Sequence, residues 1–140
     1  MPARIEILRR RPLLLLDGCH NPDGAAALAA TLTEAGYEGS LVGVLGLLAD
    51  KRHEEMLKAL SPCFEKVYTV TPDCPRAMAA EELQKEARFH MDAEVGGTVR
   101  QAIQKAIRYA DDHNLPGVVV CGSLYLAAEA RPILLKEAEK

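Results

Sequence analysis

Short apolar runs alternate along the chain with longer stretches in which apolar residues recur at helical spacing. The short runs fall at residues 5–8, 13–16, 41–45, 67–70, a weak one at 89–91, and 118–121. They are too short for helices and predict strands. Between them, Ala25, Leu28, Leu32 and Ala35 share one face of a first helix, with Gly36 suited to stop it. Met56, Leu57 and Leu60 mark a second, ended by Ser61 and Pro62. A third spans 79–88, with Glu81 and Glu82 in the first turn, where the helix dipole favours acids. Val99, Ile103, Ala106, Ile107 and Ala110 form the face of a fourth. The last begins after Ser123 and carries Pro132, which is expected to kink it or start a new turn.

Strand and helix thus alternate strictly, and the strands are apolar on both faces. That pattern predicts a mostly parallel sheet of about six strands with helices on both faces, a Rossmann-like three-layer α/β sandwich. The first run lies so close to the second that it reads as an edge or antiparallel strand. Right-handed crossovers place every strand-to-helix turn at one edge of such a sheet, which is where open α/β sheets bind ligands. No repeat, low-complexity tract or linker interrupts the 140 residues, so residues 1–140 read as one domain.

Four turns are therefore expected to share an edge: 17–22, 46–51, 71–76 and 122–125. In the first, Asn21 and Pro22 suit an N-cap and first helical position, since Asn accepts from free amides and Pro has none to leave unpaired. Asp17 and His20 are not explained that way. Asp17 could accept from sugar hydroxyls and His20 could donate to a carboxylate or phosphate, or either could simply close the loop. Ser123, after Gly122, reads as an N-cap whose hydroxyl, with the helix's free amides, also suits a carboxylate. Asp50 and Lys51 fit a solvated helix start, and Arg76 either a surface charge or an anion contact. Gly96 and Gly97 mark the turn before the fourth helix. His53, His90 and His113 have no ligand-like spacing, and Met56, Met78 and Met91 read as core filler.

Composition narrows the function classes. Seventeen Lys and Arg against twenty Asp and Glu give a formal charge of -3, which supports neither a nucleic-acid nor an anionic-membrane surface. No apolar stretch approaches the roughly 20 residues of a membrane span and the N-terminal residues lack a secretory layout, so the chain reads as cytoplasmic. Cys19, Cys63, Cys74 and Cys121 contain no C-x-x-C pair and match no zinc framework, so they read as reduced thiols and no metal site is expected. Neither G-x-x-x-x-G-K-[ST] nor G-x-S-x-G occurs, excluding a P-loop and a hydrolase nucleophile elbow within these residues.

The segments PARIEI (2–7), LLDGCHNPDGAAALAATL (15–32), GVLGLLADK (43–51), TPDCPRAM (71–78) and VVVCGSLYLAAEAR (118–131) closely resemble, in this order, the C-terminal domain of bacterial folylpolyglutamate synthase / dihydrofolate synthase, of the Mur-ligase superfamily. The resemblance covers nearly the whole chain, and DGxHNP together with CGSLYLA is specific. It implies an ADP-forming amide ligase in which ATP converts a folate carboxylate to an acyl phosphate that the amine of L-glutamate attacks. The family's P-loop and Mg2+ ligands lie in a preceding N-terminal ATPase domain. A chain like this one is then expected to lack ligase activity alone, to hold no catalytic residue in isolation, and to close over that partner.

By position, Arg4 matches an arginine that contacts ATP and Asp17 the acid that holds the ribose. His20 matches the histidine associated with the incoming glutamate, and Ser123 the serine near its carboxylate. Asn21, Lys51 and Tyr125 match motif positions of less defined role. Ala3 stands where Gly precedes the arginine, Cys19 where Ala is usual, and Arg52 where an acid is common. Two other readings share the fold: a free-standing, non-catalytic module that binds an amino acid or nucleotide, and the C-terminal domain of a cell-wall Mur ligase.

Overall fold

A computed structural model describes residues 5–50 and 52–140. Its strands are β1 (Ile5–Arg10), β2 (Leu13–Asp17), β3 (Leu41–Leu45), β4 (Phe64–Thr69), β5 (Ala93–Val95) and β6 (Gly117–Cys121). The helices are α1 (Pro22–Glu34), α2 (His53–Leu60), α3 (Ala80–Ala87), α4 (Val99–Asp112) and α5 (Leu124–Ala138), with a 3-10 turn at Ser61–Cys63. The six strands form one sheet in the order β1-β2-β6-β3-β4-β5. β1 pairs antiparallel with β2 and occupies one edge, and every other pairing is parallel.

The expected three-layer α/β sandwich is present, and the strands' alternation decides what each layer touches. Leu13, Leu15, Leu41, Leu45, Val67 and Val119 pack toward Leu28 and Leu32 of α1, Leu57 and Leu60 of α2, and Leu83 of α3. Their neighbours Leu14, Leu16, Val42, Val44, Val118 and Val120 face the other way, onto Ile103 and Ala106 of α4 and Leu126 and Leu134 of α5. The central strands β2, β3 and β6 are buried along their whole length, so their unbroken apolar runs are what a doubly covered sheet requires.

Local chemistry sets the helix starts. Asn21 caps α1 by accepting from Gly24 N (2.8 Å) with Pro22 at the first position, as its sequence suggests. Thr98 and Gln101 form a reciprocal capping box at α4, and Gly97 turns the chain into it.

Two expectations need correction. The weak strand at 89–91 is instead the run-out of α3: Phe89 N, His90 N and Met91 N donate to the carbonyls of Glu86, Ala87 and Ala87. The edge strand comes later, at Ala93–Val95, where it pairs with Val67–Thr69. Pro132 does not divide the last helix, which continues from Leu124 to Ala138. Pro removes one amide donor, but Leu126 and Ala130 before it and Ile133 and Leu134 after it are buried against the sheet and hold the helix in register.

Candidate functional site

Parallel pairing of β2, β6, β3 and β4 puts their carboxyl ends, Asp17, Cys121, Leu45 and Thr69, in neighbouring positions along one edge. The four turns that follow these strands touch one another. Gly46 N donates to Cys121 O (3.3 Å), and a Cβ on Gly122 would sit 2.5 Å from Gly46 O. Likewise a Cβ on Gly18 would sit 2.7 Å from Leu124 Cδ2, and one on Gly46 2.8 Å from Pro72 Cγ. Gly122 also has φ +120°, a conformation that glycine alone adopts readily. The turn after β3 is further tied to the turn after β4: Ala49 N donates to Arg76 O (2.8 Å) and Met78 N to Leu47 O (2.9 Å). Thr71 Oγ1 accepts from Ala80 N (2.9 Å), and Thr69 Oγ1 donates to Ala80 O (2.9 Å), which fixes the far end of that loop.

Asp17 ends β2 and is 4% exposed, and its Oδ1 accepts from Cys19 N (2.7 Å). That bond closes the bend opened by Gly18. His20 is exposed, with Nδ1 3.3 Å from Gly18 O. Ser123 is wholly buried, and its Oγ accepts from Leu126 N (2.9 Å) as the N-cap of α5. The amides of Leu124 and Tyr125, in the first turn of α5, lie among those that a helix leaves without an intrahelical partner, and both side chains are about half exposed, at 53% and 48%. The residue paired with Asp17 in the adjacent strand is Cys121, two before Ser123. The structure therefore brings Asp17, His20, Ser123 and Tyr125 to one stretch of the edge, with Asn21 engaged in capping α1. Arg4 and Lys51 lie outside the described residues. Arg76 is exposed on the adjoining loop.

Beneath this edge lies a group of thiols. Cys19, Cys63 and Cys121 are buried and free, and Cys74 is partly exposed. A hydrogen bond with Cys19, burial, and the charges of Cys19, Asp17 and Cys63 push the Cys121 thiol well above its ordinary value. Burial, with Cys19 and Glu38 adding to it, pushes Cys63 up to about 11. The thiols of Cys63 and Cys121 are therefore poor nucleophiles. Among the described residues no cluster of His, Cys, Asp and Glu is placed to hold a metal ion. A cavity of about 760 Å3 opens at the opposite edge, by Arg9, Leu13, Arg108 and Gly117, and takes no residue from the four turns.

Pattern reading missed two cross-links near this edge. His53 Nε2 lies 2.7 Å from Glu86 Oε1 and His90 Nε2 2.7 Å from Glu54 Oε2. The partners are 33 and 36 residues apart, so no local periodicity could have announced them. His113 instead stacks on Tyr109, with ring centroids 3.9 Å apart.

The model of the family described as Mur ligase, glutamate ligase domain, matches residues 3–124. The chain belongs to this family. A dihydrofolate synthase/folylpolyglutamate synthase of Mycobacterium tuberculosis (strain ATCC 25618 / H37Rv) is 34% identical over 152 aligned positions, covering 99% of this chain and 31% of that protein. The crystal structure of Mycobacterium tuberculosis folylpolyglutamate synthase complexed with ADP and AMPPCP superposes with a TM-score of 0.84 at 32% identity, covering 95% of this chain and 32% of that one. A bifunctional folylpolyglutamate synthase/dihydrofolate synthase structure with Mn, AMPPNP and L-glutamate bound gives 0.69 at 27% identity, covering 96% and 32%. This Mur ligase glutamate ligase domain thus spans about a third of the length of these relatives.

Proposed function

We propose that this chain is the C-terminal, glutamate-receiving part of an ATP-dependent, ADP-forming ligase that joins L-glutamate to folate through an acyl phosphate. The observation that carries the reading is the junction of the turns after β2 and β6, which sets Asp17 and His20 beside the start of α5. The likeness to folylpolyglutamate synthases across almost the whole chain supports it. The lack of a phosphate-binding glycine loop in these residues fits a division of labour in which an N-terminal P-loop domain holds the phosphates and Mg2+. The SLYLA and TPDCPRA segments point to the folate branch over a cell-wall ligase.

In this reading the free amides of Leu124 and Tyr125, held in place by Ser123 as the buried cap of α5, seat a carboxylate of glutamate at the positive end of the helix. His20, exposed beside them, donates to the same substrate. Asp17 accepts from the nucleotide ribose, and Arg4 contributes to ATP. ATP supplies the leaving phosphate that activates the folate carboxyl. The half-exposed Leu124 and Tyr125 give the N-terminal domain an apolar surface to close upon, and closure keeps water from the acyl phosphate. The compartment is the cytoplasm, where thiols such as these four stay reduced.

The test replaces the corresponding third of the Mycobacterium tuberculosis relative with this chain and measures ATP- and folate-dependent glutamate incorporation. The chimera is expected to ligate, the 140-residue chain alone to give none, and His20→Ala in the chimera to lose at least tenfold in kcat/KM, about one charge-assisted hydrogen bond. Ligation by the chain alone would overturn the proposed division of labour, and tight binding of glutamate or ATP by the isolated chain would favour a free-standing binding module.

A further inference from the structure

Two histidine–glutamate pairs join α2 to α3 at one end. His53, the first residue of α2, donates from Nε2 to Glu86 Oε1 (2.7 Å), and His90, just past α3, donates from Nε2 to Glu54 Oε2 (2.7 Å). The second nitrogen of His53, Nδ1, meets the carbonyl oxygen of Asp50. A carbonyl and a carboxylate only accept hydrogen bonds, and a neutral imidazole donates from one nitrogen only. Both contacts are satisfied together only when the ring carries two protons. We propose that His53 is an imidazolium staple that ties the 46–50 turn, part of the candidate site's edge, to α3, and that losing one proton releases the outer end of that turn.

The surroundings fit this role. Asp50 from the ring's own turn and Glu86 from α3 are the charges that face it; Asp23 and Glu34 of α1, the other helix packed on α2, do not act on it. Partial burial works against the charged ring, but the hydrogen bonds to Asp50 O and Glu86 and the charges of Glu86 and Asp50 outweigh it, so its pKa is raised above the ordinary 6.5. A group raised in the folded state contributes fully below its unfolded pKa and loses that contribution as pH rises through the folded value. The staple is therefore complete below pH 6.5, still holds in most molecules at pH 6.5, and opens as pH rises through the raised value. The inner part of the turn stays anchored by Ala49 N to Arg76 O and Met78 N to Leu47 O. Release is confined to Asp50 and the start of α2, where Arg52 N leans on Asp50 Oδ1 (2.8 Å).

This inference goes beyond the ligase reading and its test uses no substrate, so either can fail without the other. Ring-nitrogen NMR and amide hydrogen exchange are followed on the full chain across the range in which histidine titrates. At pH 6.5 both His53 nitrogens are expected to carry protons, with a midpoint above 6.5. Protection of the Arg52 and His53 amides, taken relative to the intrinsic base-catalysed exchange rate at each pH, is expected to fall about tenfold through the same midpoint, the effect of losing one charge-assisted hydrogen bond. Glu86→Gln is expected to lower the midpoint and uncouple the turn, whereas His90→Gln leaves both unchanged. A neutral His53 ring at pH 6.5, or turn amides that ignore its titration, overturns the proposal, as does an equal effect of His90→Gln. The unaltered chain decides the matter even if a variant fails to fold.

Discussion

Replacing Gly122 with alanine probes the junction on which the candidate site is built. The residue has φ +120°, and the added Cβ would lie 2.5 Å from Gly46 O and 2.6 Å from Leu47 Cδ2. The conformational cost of a side chain there is about 1–2 kcal/mol. The clash with a backbone carbonyl that cannot retreat, because Gly46 N is itself bonded to Cys121 O, adds about 1–3 kcal/mol of overpacking strain. The sum, about 2–5 kcal/mol, is a large part of the roughly 5–15 kcal/mol that holds a domain folded. For a chain of 140 residues, an unfolding entropy of about 2.1 cal/mol/K per residue converts it to a fall of roughly 7–17 °C in Tm. Gly36→Ala is the control: φ is +88° there too, but nothing lies within 4 Å of the new Cβ, so only about 1 kcal/mol is expected. Urea unfolding of both variants beside the parent chain gives the comparison. If Gly122→Ala costs no more than Gly36→Ala, the close approach of the turns after β3 and β6 is wrong.

Three further outcomes are expected. Ser123→Ala should cost about 1–2 kcal/mol in urea unfolding because it removes a buried N-cap, while Ser123→Asn or Ser123→Thr should recover part of the loss; no change on truncation would remove Ser123 from the cap. Asn21→Ala should cost about 1 kcal/mol for the same reason at α1, with increased amide exchange at Gly24 as the local readout. With a thiol reagent at mildly alkaline pH, Cys74 should react first and Cys19, Cys63 and Cys121 only after denaturation, since burial holds the Cys63 thiol at about 11; rapid labelling of Cys121 in the native chain would contradict the buried thiol group.

Much of this protein is legible in order along its sequence, because secondary structure answers to local period and local capping. The runs at 13–16, 41–45 and 118–121 are strands, Asn21, Pro22 and Ser123 start helices, and their turns do fall at one edge. Misjudgements came where local pattern competes with packing. Phe89 looked like part of a strand but ends a helix, and Pro132 sits inside a helix that neighbouring contacts sustain. The candidate site residues could be named from their segments, and Ser123 as a helix cap from its place after Gly122, but that Asp17 is buried and accepts from Cys19 N, and that Ser123 is wholly buried, depends on neighbours a few ångströms away.

What the sequence by itself determined is the alternation of strand and helix, the position of the turns, and the absence of a phosphate loop from these residues. Tertiary structure alone decided that β6 enters between β2 and β3, which carries Ser123 across more than a hundred residues to stand beside Asp17. It also decided that three of the four thiols are buried and that His53 finds Glu86. The physical reason is range. Period and capping act over one or two turns of chain, whereas strand order, burial and ion pairing are settled by which distant segments can share one sheet and cover both of its faces.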